Sequence, residues 1–450
     1  MRFDTIGLKA PTVLLPKKGV DLTKWSVVAC DQFTSQPEYW EKAKSIVGNN
    51  PSTLNLIFPE VYLESKTHNR DELIGSINQH MKKYLDQNIL IPQKPGFILV
   101  DRQTPHTPSR KGLIVALDLE KYDYNKGSQT LIRATEGTVL DRLPPRIKIR
   151  KNAPIELPHI MVLIDDPGRT VIEPLFHKNL ELIYDFDLML DGGHIKTYRV
   201  DEPGLVKTVA DTITALSSKE MMASKYGSTE NGILLYAMGD GNHSLATAKA
   251  IWEDLKKTAN KQDIMDHPAR YALVELVNVH DAGLTFEPIH RVLFHVQADS
   301  LLKAMKNHFE KLGSSLTKTV FTSVGTAEKE LKNFIPKKTE HIIAFVAEGV
   351  SGFISIENPK LNLAVGTLQS FLDDYLVSHK ETKIDYIHGT GVVTDLGSQQ
   401  GNMGFYLPAM AKQDLFKTVY LDGALPRKTF SMGEACEKRY YLECRSILPA

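Results

Sequence analysis

The fold is decided by the stretch Ile233-Leu234-Leu235-Tyr236-Ala237-Met238-Gly239-Asp240-Gly241-Asn242-His243-Ser244. Its apolar first half predicts a buried strand. From about residue 244 to residue 257, apolar side chains recur with helical spacing, which predicts an amphipathic helix. The sequence therefore predicts a strand, a tight glycine turn and a helix start in immediate succession.

The turn between strand and helix has the composition of an anion-binding site. Gly239 and Gly241 let the backbone approach a ligand closely. Asn242 or Ser244 can cap the helix, and the free N–H groups of its first turn favour negative charge. Phosphate is the ligand that this pattern indicates, although a tight turn with a polar cap accounts for the same spacing.

Two further side chains of the turn can carry chemistry. Asp240 supplies a carboxylate and His243 an imidazole, which are groups used for metal binding or proton transfer. The stretch lacks the third glycine of the dinucleotide fingerprint and the Lys-Ser/Thr pair of the P-loop, so it matches neither motif.

Composition and charge limit the classes of function that the protein can have. The 450 residues are 42% hydrophobic and 24% charged, which is typical of a globular protein with two or three domains. Because 54 basic residues balance 54 acidic ones, no overall charge attracts nucleic acid or an anionic membrane. The three cysteines are too scattered for a disulfide framework, and the N-terminus shows no apolar targeting segment. We expect a cytoplasmic protein with a small-molecule substrate and no nucleic-acid or membrane partner.

Helical and strand patterns alternate along the chain, which predicts an α+β fold with a mixed sheet. Before the central turn they predict strands at 25–30, 96–102, 112–119 and 159–164, helices at 36–47, 70–88 and 206–217, and a hairpin at 188–200. We expect a main α+β domain at 1–298 and 381–450, and a smaller α+β subdomain at 299–380. The subdomain includes a regular segment at 326–334, and the main domain ends with a polar loop at 388–391 and a strand at 438–445.

A polar segment at 132–153 contains a dense group of cations: Arg133, Arg142, Arg146, Lys148, Arg150 and Lys151. A solvated loop explains such a group as well as a binding site does. The same segment holds Glu136-Gly137-Thr138. A carboxylate among cations is kept ionised and can act as a base beside an anion site.

A second histidine and aspartate pair follows the strand predicted at 270–279. His280 and Asp281 stand at its end, and a structural role and a functional one both remain open. With Asp240 and His243 they suggest a metal-dependent hydrolase. The spacing lends this little support, because no His-x-x-x-His or comparable ligand pair lies nearby.

The order of motifs resembles the prokaryotic family named domain of unknown function 1015. The residues that carry this resemblance are Asn50-Pro51-Ser52, Glu136-Gly137-Thr138, Tyr198-Arg199-Val200-Asp201, Asp240-Gly241, His290-Arg291, Lys383-Ile384-Asp385-Tyr386 and Pro426-Arg427-Lys428-Thr429-Phe430. No single motif is specific, but their order is, and the resemblance runs nearly end to end.

The centre of that family usually reads Asp-Gly-His-His-Arg, which is similar to the phosphate-binding element of the ParB and sulfiredoxin superfamily with its free-serine kinases. The resemblance implies a ParB/sulfiredoxin-like core and phosphoryl transfer from a nucleotide. By position, Asp240, Gly241 and His243 match this element, whereas Asn242 replaces the first histidine and Ser244 replaces the arginine.

The resemblance also implies roles for single residues. Glu136 is the candidate base, Asp240 the candidate ligand of Mg²⁺, and His243 orients phosphate or acts as an acid. Because the arginine is missing, the charge of a bound ATP or ADP has to be neutralised by other cations, for which the candidates are Arg133, Arg142, Arg291 and Lys428.

We therefore expect a phosphotransferase that acts on a small hydroxylated metabolite, with serine or phosphoserine as the substrate that the resemblance favours. A non-catalytic nucleotide- or metabolite-binding protein is the alternative, because Asn242 and Ser244 depart from the family pattern. The metal-dependent hydrolase and a DNA-associated protein are less well supported, the latter because the chain shows no helix-turn-helix or basic aromatic segment.

Overall fold

The computed structural model of the chain describes residues 1–34, 36–63, 69–125, 127–258, 264–321 and 339–449. Within these ranges the protein has the expected α+β fold. Its helices are α1 (Leu22–Trp25), α2 (Pro37–Val47), α3 (Arg70–Asp86), α4 (Leu143–Arg150), α5 (Pro203–Ala215), α6 (Lys219–Tyr226), α7 (Asn242–Thr258), α8 (Ala298–Lys311), α9 (Ala364–Ser378), α10 (Thr390–Gly397) and α11 (Lys412–Leu421).

The strands are β1 (Arg2–Phe3), β2 (Leu8–Lys9), β3 (Leu14–Pro16), β4 (Leu90–Pro92), β5 (Phe97–Gln103), β6 (Arg110–Asp118), β7 (Tyr122–Asp123), β8 (Ile132–Arg133), β9 (Ile155–Glu156), β10 (Met161–Ile164), β11 (Leu182–Leu188), β12 (Gly193–Val200), β13 (Tyr236–Asp240), β14 (Tyr271–Asn278), β15 (Phe286–Phe294), β16 (Ser315–Phe321), β17 (Glu340–Ala347), β18 (Val350–Glu357), β19 (Lys383–His388), β20 (Asn402–Tyr406), β21 (Phe430–Met432) and β22 (Arg445–Ser446).

Contacts divide the chain into two compact units. The first unit comprises Met1–Thr285, Val419–Leu421 and Met432–Ala450, and the second comprises Phe286–Thr418 and Asp422–Ser431. The division expected from the sequence differs from these units, because strands β19 and β20 pair with β15 in the sheet of the second unit. Whether either division marks domains that fold independently stays a prediction.

A large mixed sheet forms the centre of the first unit. Its strands follow the order β11-β12-β5-β6-β14-β10-β13-β8-β7, and β2 pairs with β6. Strand β10 runs parallel to β14 but antiparallel to β13. Every residue of β14 is buried, which explains why its sequence is a nearly continuous apolar run.

Both faces of this sheet are covered, because successive side chains of a strand point to opposite faces. On one face, Leu99 and Leu113 belong to the core that α5 and α7 complete. On the other face, Ile98 and Ile114 belong to a core with α2 and α3. The strand ends are therefore the places where polar side chains can meet without disturbing either core.

The second unit is built on a smaller sheet with the strand order β16-β18-β17-β20-β15-β19. Leu293 and Phe345 pack with α8 and α9 on one face. Val292 and Val346 pack with Val393 of α10 on the other. The segment predicted at 326–334 lies outside the described residues.

Several local predictions are confirmed. The strands expected at 96–102 and 112–119 are β5 and β6, which pair antiparallel, and the hairpin expected at 188–200 is the end of β11 with β12. Helices α2, α3 and α5 lie where the helical spacing placed them. The central stretch forms β13 and α7 in succession, as predicted.

Two predicted strands are wrong. Instead of a strand at 25–30, Asp21 caps a short helix by accepting a hydrogen bond from Thr23 N, and Val28 makes an isolated bridge to Tyr440. Residues 438–445 also make isolated bridges, because their backbone groups bond to separate segments of the chain rather than to one neighbouring strand.

Two expected loops contain helices. The segment at 132–153 includes α4, whose first turn holds prolines at positions where a helix needs no N–H donor. The polar residues at 388–391 are the junction of β19 with α10. Among the described helices, none has the length and apolar character required to cross a membrane.

Candidate functional site

The glycine turn lies at the end of β13, where strand and helix meet. Gly241 has φ +80°, a conformation that favours glycine, and a Cβ there would lie 3.1 Å from Ile160 Cα. Leu245 N donates to Gly241 O at 3.0 Å. Gly241 therefore directly precedes the helix, and the N–H groups of residues 242–244 have no acceptor within it. This geometry fits an anion.

Asp240 is paired with a residue that the sequence did not single out. Lys438 Nζ lies 3.3 Å from Asp240 Oδ2, with the two side chains 12% and 25% exposed. Gly241 N donates to Asp240 Oδ1 at 2.8 Å. Burial by itself raises the pKa of Asp240, but the charges of Lys438 and His159 and these hydrogen bonds outweigh it and hold the pKa below its usual value. Asp240 is consequently ionised at neutral pH.

The candidate base lies on a segment that is hydrogen-bonded to the turn on both sides. Thr135 Oγ1 donates to Met238 O at 2.8 Å, before Glu136. Val139 N donates to His243 Nε2 at 3.3 Å, after it. These two bonds keep Glu136, which is half-buried, alongside the glycine turn.

Two oxygen atoms near this junction are buried without a partner. Thr138 Oγ1 and Asn242 Oδ1 have no hydrogen-bond partner in the part of the chain that the structure describes. Buried polar atoms are nearly always hydrogen-bonded in proteins, so each exception needs an explanation. A ligand that donates hydrogen bonds, or a water molecule between such a ligand and these atoms, would satisfy them.

A buried imidazole stands beside the first turn of α7. His159 is 8% exposed, and its Nε2 lies 3.0 Å from Ser244 Oγ. Its Nδ1 lies 2.7 Å from the hydroxyl oxygen of Tyr441. Asp31 Oδ2 is 3.7 Å from Nε2. His159, Tyr441 and Asp31 were not predicted as site residues, because they lie far from residues 240–244 in sequence and no local pattern links them.

The cations of segment 132–153 do not converge on one site. Arg133 is 4% exposed, and it donates to the carbonyl oxygens of Thr130 and Asn231. Burial lowers the pKa of Arg133. We therefore leave Arg133 out of the proposed site.

The remaining cations of this segment lie on or next to α4, which packs against α7. Arg146 pairs with Glu60 at 2.5 Å, and Arg150 pairs with Glu156 at 2.5 Å. Arg142 is exposed, and it precedes α4 by one residue. Of the predicted phosphate-binding cations in the first unit, Arg142 is the one whose exposure suits that role.

The other two predicted cations, Arg291 and Lys428, belong to the second unit. Arg291 is fully buried and donates to Gln369 Oε1 at 3.0 Å and to the carbonyl oxygens of Ile289 and Lys428 at 2.6 and 2.9 Å. The guanidinium of Arg291 therefore has a structural role. Lys428 is exposed. We therefore assign neither residue to the phosphate site.

The ligand set suggested for a metal-dependent hydrolase is not brought together. Asp240 pairs with Met161 at one end of β10, whereas His280 Nε2 lies 2.7 Å from Asp165 Oδ1, just beyond the other end. Residues 161 and 165 are roughly 13 Å apart along an extended strand. Asp281 accepts a hydrogen bond from Gly283 N at 2.8 Å and closes a turn. In the described ranges, no group of three or more His, Cys, Asp or Glu side chains could hold a metal ion.

Similarity to solved structures is weak. A mutant free serine kinase in complex with AMP is 12% identical, with a TM-score of 0.38 over 77% of this chain and 95% of the kinase. A conserved hypothetical protein from Pyrococcus furiosus is 12% identical, with a TM-score of 0.34 over 74% and 95%. SbnI from Staphylococcus aureus, truncated at its C-terminus, is 10% identical, with a TM-score of 0.35 over 71% and 82%. We draw no conclusion about function from similarity at this level, and the ParB/sulfiredoxin-like core stays a prediction.

Comparison with known sequences and sequence families gives a clearer result than comparison with solved structures. No curated protein matches the chain. The family model described as "Protein of unknown function (DUF1015)" matches residues 14–375, which is well over half of the sequence. The chain belongs to the DUF1015 family of proteins of unknown function.

Proposed function

We propose that this protein transfers a phosphoryl group between a nucleotide, ATP or ADP, and a small hydroxylated metabolite, with serine or phosphoserine as the leading candidate. The observation that carries the proposal is the double attachment of the Glu136 segment to the glycine turn, through Met238 O and His243 Nε2. A carboxylate beside a helix N-terminus combines a base with an anion-binding site. Phosphoryl transfer depends on that combination.

The phosphate is bound by backbone groups in this proposal. Helix α7 begins at Asn242, and the N–H groups of a helix's first turn are the groups that bind an anion. Asn242 Oδ1 and Thr138 Oγ1 are buried polar atoms that a bound nucleotide, or water held by it, would satisfy. Arg142, which is exposed and lies three residues after Val139, neutralises charge from the solvent side.

Asp240 is suited to hold Mg²⁺ together with the phosphate oxygens of the nucleotide. Its pKa is lowered, so it is an anion at neutral pH, and Mg²⁺ is commonly bound by one or two carboxylates together with phosphate oxygens and water. When bound, the ion neutralises charge that develops on the phosphate oxygens. Lys438 keeps the carboxylate in place by its contact at 3.3 Å.

Glu136 and His243 have different roles in this proposal, the first in proton transfer and the second in orienting the phosphate. Glu136 takes the proton of the attacking hydroxyl. His243 Nε2 accepts a hydrogen bond from Val139 N, and this bond helps to fix the direction of the imidazole ring. In this proposal His243 orients the phosphate. We place this activity in the cytoplasm, since Cys30, Cys436 and Cys444 are unpaired.

A non-catalytic nucleotide-binding protein is the second candidate. It is favoured by Ser244, which stands where the family pattern has an arginine, and which contacts His159 instead. Loss of the arginine removes a bidentate phosphate ligand. Binding without turnover would support this candidate.

The test is a thermal-shift screen of the full chain with ATP, ADP, CTP and pyrophosphate in the presence of Mg²⁺, each with and without serine or phosphoserine. We expect a nucleotide to raise the melting temperature, and one amino acid to strengthen the effect. Hits are then assayed for turnover, which Asp240→Asn should abolish. A melting temperature unchanged by every combination would contradict the proposal, and full activity of Asp240→Asn would contradict its mechanism.

A further inference from the structure

We propose that Ser244 is itself a phosphoryl acceptor, with His159 as the general base that activates its hydroxyl. This inference rests on the proposed function, because the phosphoryl donor is the nucleoside triphosphate bound at the glycine turn. The protein then forms a phosphoserine within its own chain, in addition to transferring a phosphoryl group between free substrates.

The side chains have the arrangement of an activated nucleophile. Ser244 Oγ lies 3.0 Å from His159 Nε2, within hydrogen-bonding distance. The other ring nitrogen, Nδ1, lies 2.7 Å from the hydroxyl of Tyr441. A hydroxyl, a base and a third group that orients the base are the three parts of a nucleophile of this kind. Burial of His159 to 8% exposure keeps the imidazole fixed.

The hydrogen bonds around Tyr441 are compatible with the protonation state that the base requires. Cys30 N donates to the Tyr441 hydroxyl oxygen at 3.2 Å. That oxygen can also accept from His159 Nδ1–H, since a phenolic oxygen accepts more than one hydrogen bond. In this tautomer the lone pair of Nε2 faces the Ser244 hydroxyl.

Carboxyl groups lie near the imidazolium that forms when His159 takes the proton. Asp31 Oδ2 lies 3.7 Å from Nε2. The titratable groups around His159 are Asp31, Glu60, Asp240 and Tyr441, of which Glu60 is paired with Arg146 and Asp240 with Lys438. Three of these are carboxyl groups.

Ser244 is also in the right place for a phosphate at the turn. It is the third residue of α7, and Cα–Cβ bonds in a helix tilt toward the N-terminus. The hydroxyl is therefore carried toward the N–H groups that bind phosphate in the proposed function. A phosphoserine dianion at the start of α7 is stabilised by the helix dipole.

The step balances without any further reactant. The bond between Ser244 Oγ and the γ-phosphorus forms, and the bond between that phosphorus and the β–γ bridging oxygen breaks. The hydroxyl proton goes to His159 Nε2. The nucleoside diphosphate leaves with the electron pair of the broken bond.

The experiment incubates the full chain with γ-labelled ATP, and in parallel with γ-labelled CTP, in the presence of Mg²⁺, and maps the label by peptide mass spectrometry. Ser244→Ala tests the acceptor. Ser218→Ala is the matched control, because Ser218 also stands at a helix start but its hydroxyl accepts from Met221 N of its own helix. Melting temperature with and without each nucleotide is measured in parallel for every variant.

We expect one phosphoryl group on Ser244 in the wild type and in Ser218→Ala, and none in Ser244→Ala. His159→Gln should slow labelling by about 100-fold or more and flatten its pH dependence, which a structural role would leave in place. Tyr441→Phe, which keeps the ring, should slow labelling less.

Two outcomes overturn the inference and separate it from the proposed function. If a nucleotide raises the melting temperature but Ser244 carries no label, or the label lies on another residue, the inference fails while the proposed function stands. If no nucleotide binds and no label appears, both fail.

Discussion

Replacing Lys438 by methionine should destabilise the protein in a way that depends on pH. The charges of Lys438 and Asp240 are 3.3 Å apart. At that separation Coulomb's law gives about 1.3 kcal/mol at the dielectric constant of water and about 5 kcal/mol at an effective value of 20. The side chains are 12% and 25% exposed, so the interaction lies between these limits. After desolvation is counted, we expect Lys438→Met to lower the free energy of unfolding by about 1 to 3 kcal/mol.

The sign of the pH dependence follows from the pKa of Asp240. Because that pKa is lowered in the folded protein, the pair stabilises fully above the unfolded pKa of about 3.9 and loses its effect as the pH falls through the folded pKa. In Lys438→Met, burial without a countercharge favours the protonated carboxyl. The deficit of the variant should therefore be largest near pH 7 and shrink as the carboxyl is protonated.

Urea titrations of both proteins near pH 7 and near pH 4 measure this difference. The double variant Asp240→Asn with Lys438→Met is the control, because it removes both charges and should recover part of the loss. A deficit that is equal at the two pH values, or that the double variant does not reduce, would refute the reasoning. The loss would then come from packing of the lysine stem.

Three further results are expected. Gly241→Ala should cost roughly 1 to 2 kcal/mol of stability, because φ is +80°, whereas Gly137→Ala, whose Cβ meets nothing within 4 Å, should change stability little in the same urea titration. Glu136→Gln should lower turnover by about 10²-fold or more while changing the nucleotide dissociation constant much less, and equal losses in both would make Glu136 structural. The pKa of His194 should be raised in an NMR titration, chiefly by its hydrogen bond to Asp187, so that its stabilising effect is present below about pH 6.5 and lost as the pH rises through the folded pKa. Asp187→Asn should bring that pKa down, and no change would contradict the assignment.

The sequence predicted those features that depend on neighbouring residues. The turn at Gly241 and the helix after it follow from glycine and from apolar spacing within one segment. The hairpin at β11 and β12 follows from its turn residues in the same way. The strand expected at 25–30 does not form, because its backbone partners are single residues near the C-terminus and because Asp21 caps a helix that includes Trp25.

The sequence predicted only those site residues whose chemistry can be inferred from residues nearby in the chain. The chemistry of Asp240 and Glu136 could be inferred locally, but the lysine that pairs with Asp240 comes from the other end of the chain. His159 reads as the start of a strand, and its contact with Ser244 exists only because β10 and β13 are neighbours. Conversely, Arg133 and Arg291 looked like phosphate ligands, whereas burial and carbonyl partners give them structural tasks.

Amide hydrogen exchange with and without ADP and Mg²⁺ tests the central claim most directly. Addition of the nucleotide should slow exchange in peptides that contain residues 242–244, and in peptides from the 135–139 segment that is bonded to the turn. Exchange should stay unchanged at α2 and α3, which pack on the far face of the sheet. Binding that protects other segments but leaves residues 242–244 unaffected would contradict the assignment of the glycine turn as the phosphate site.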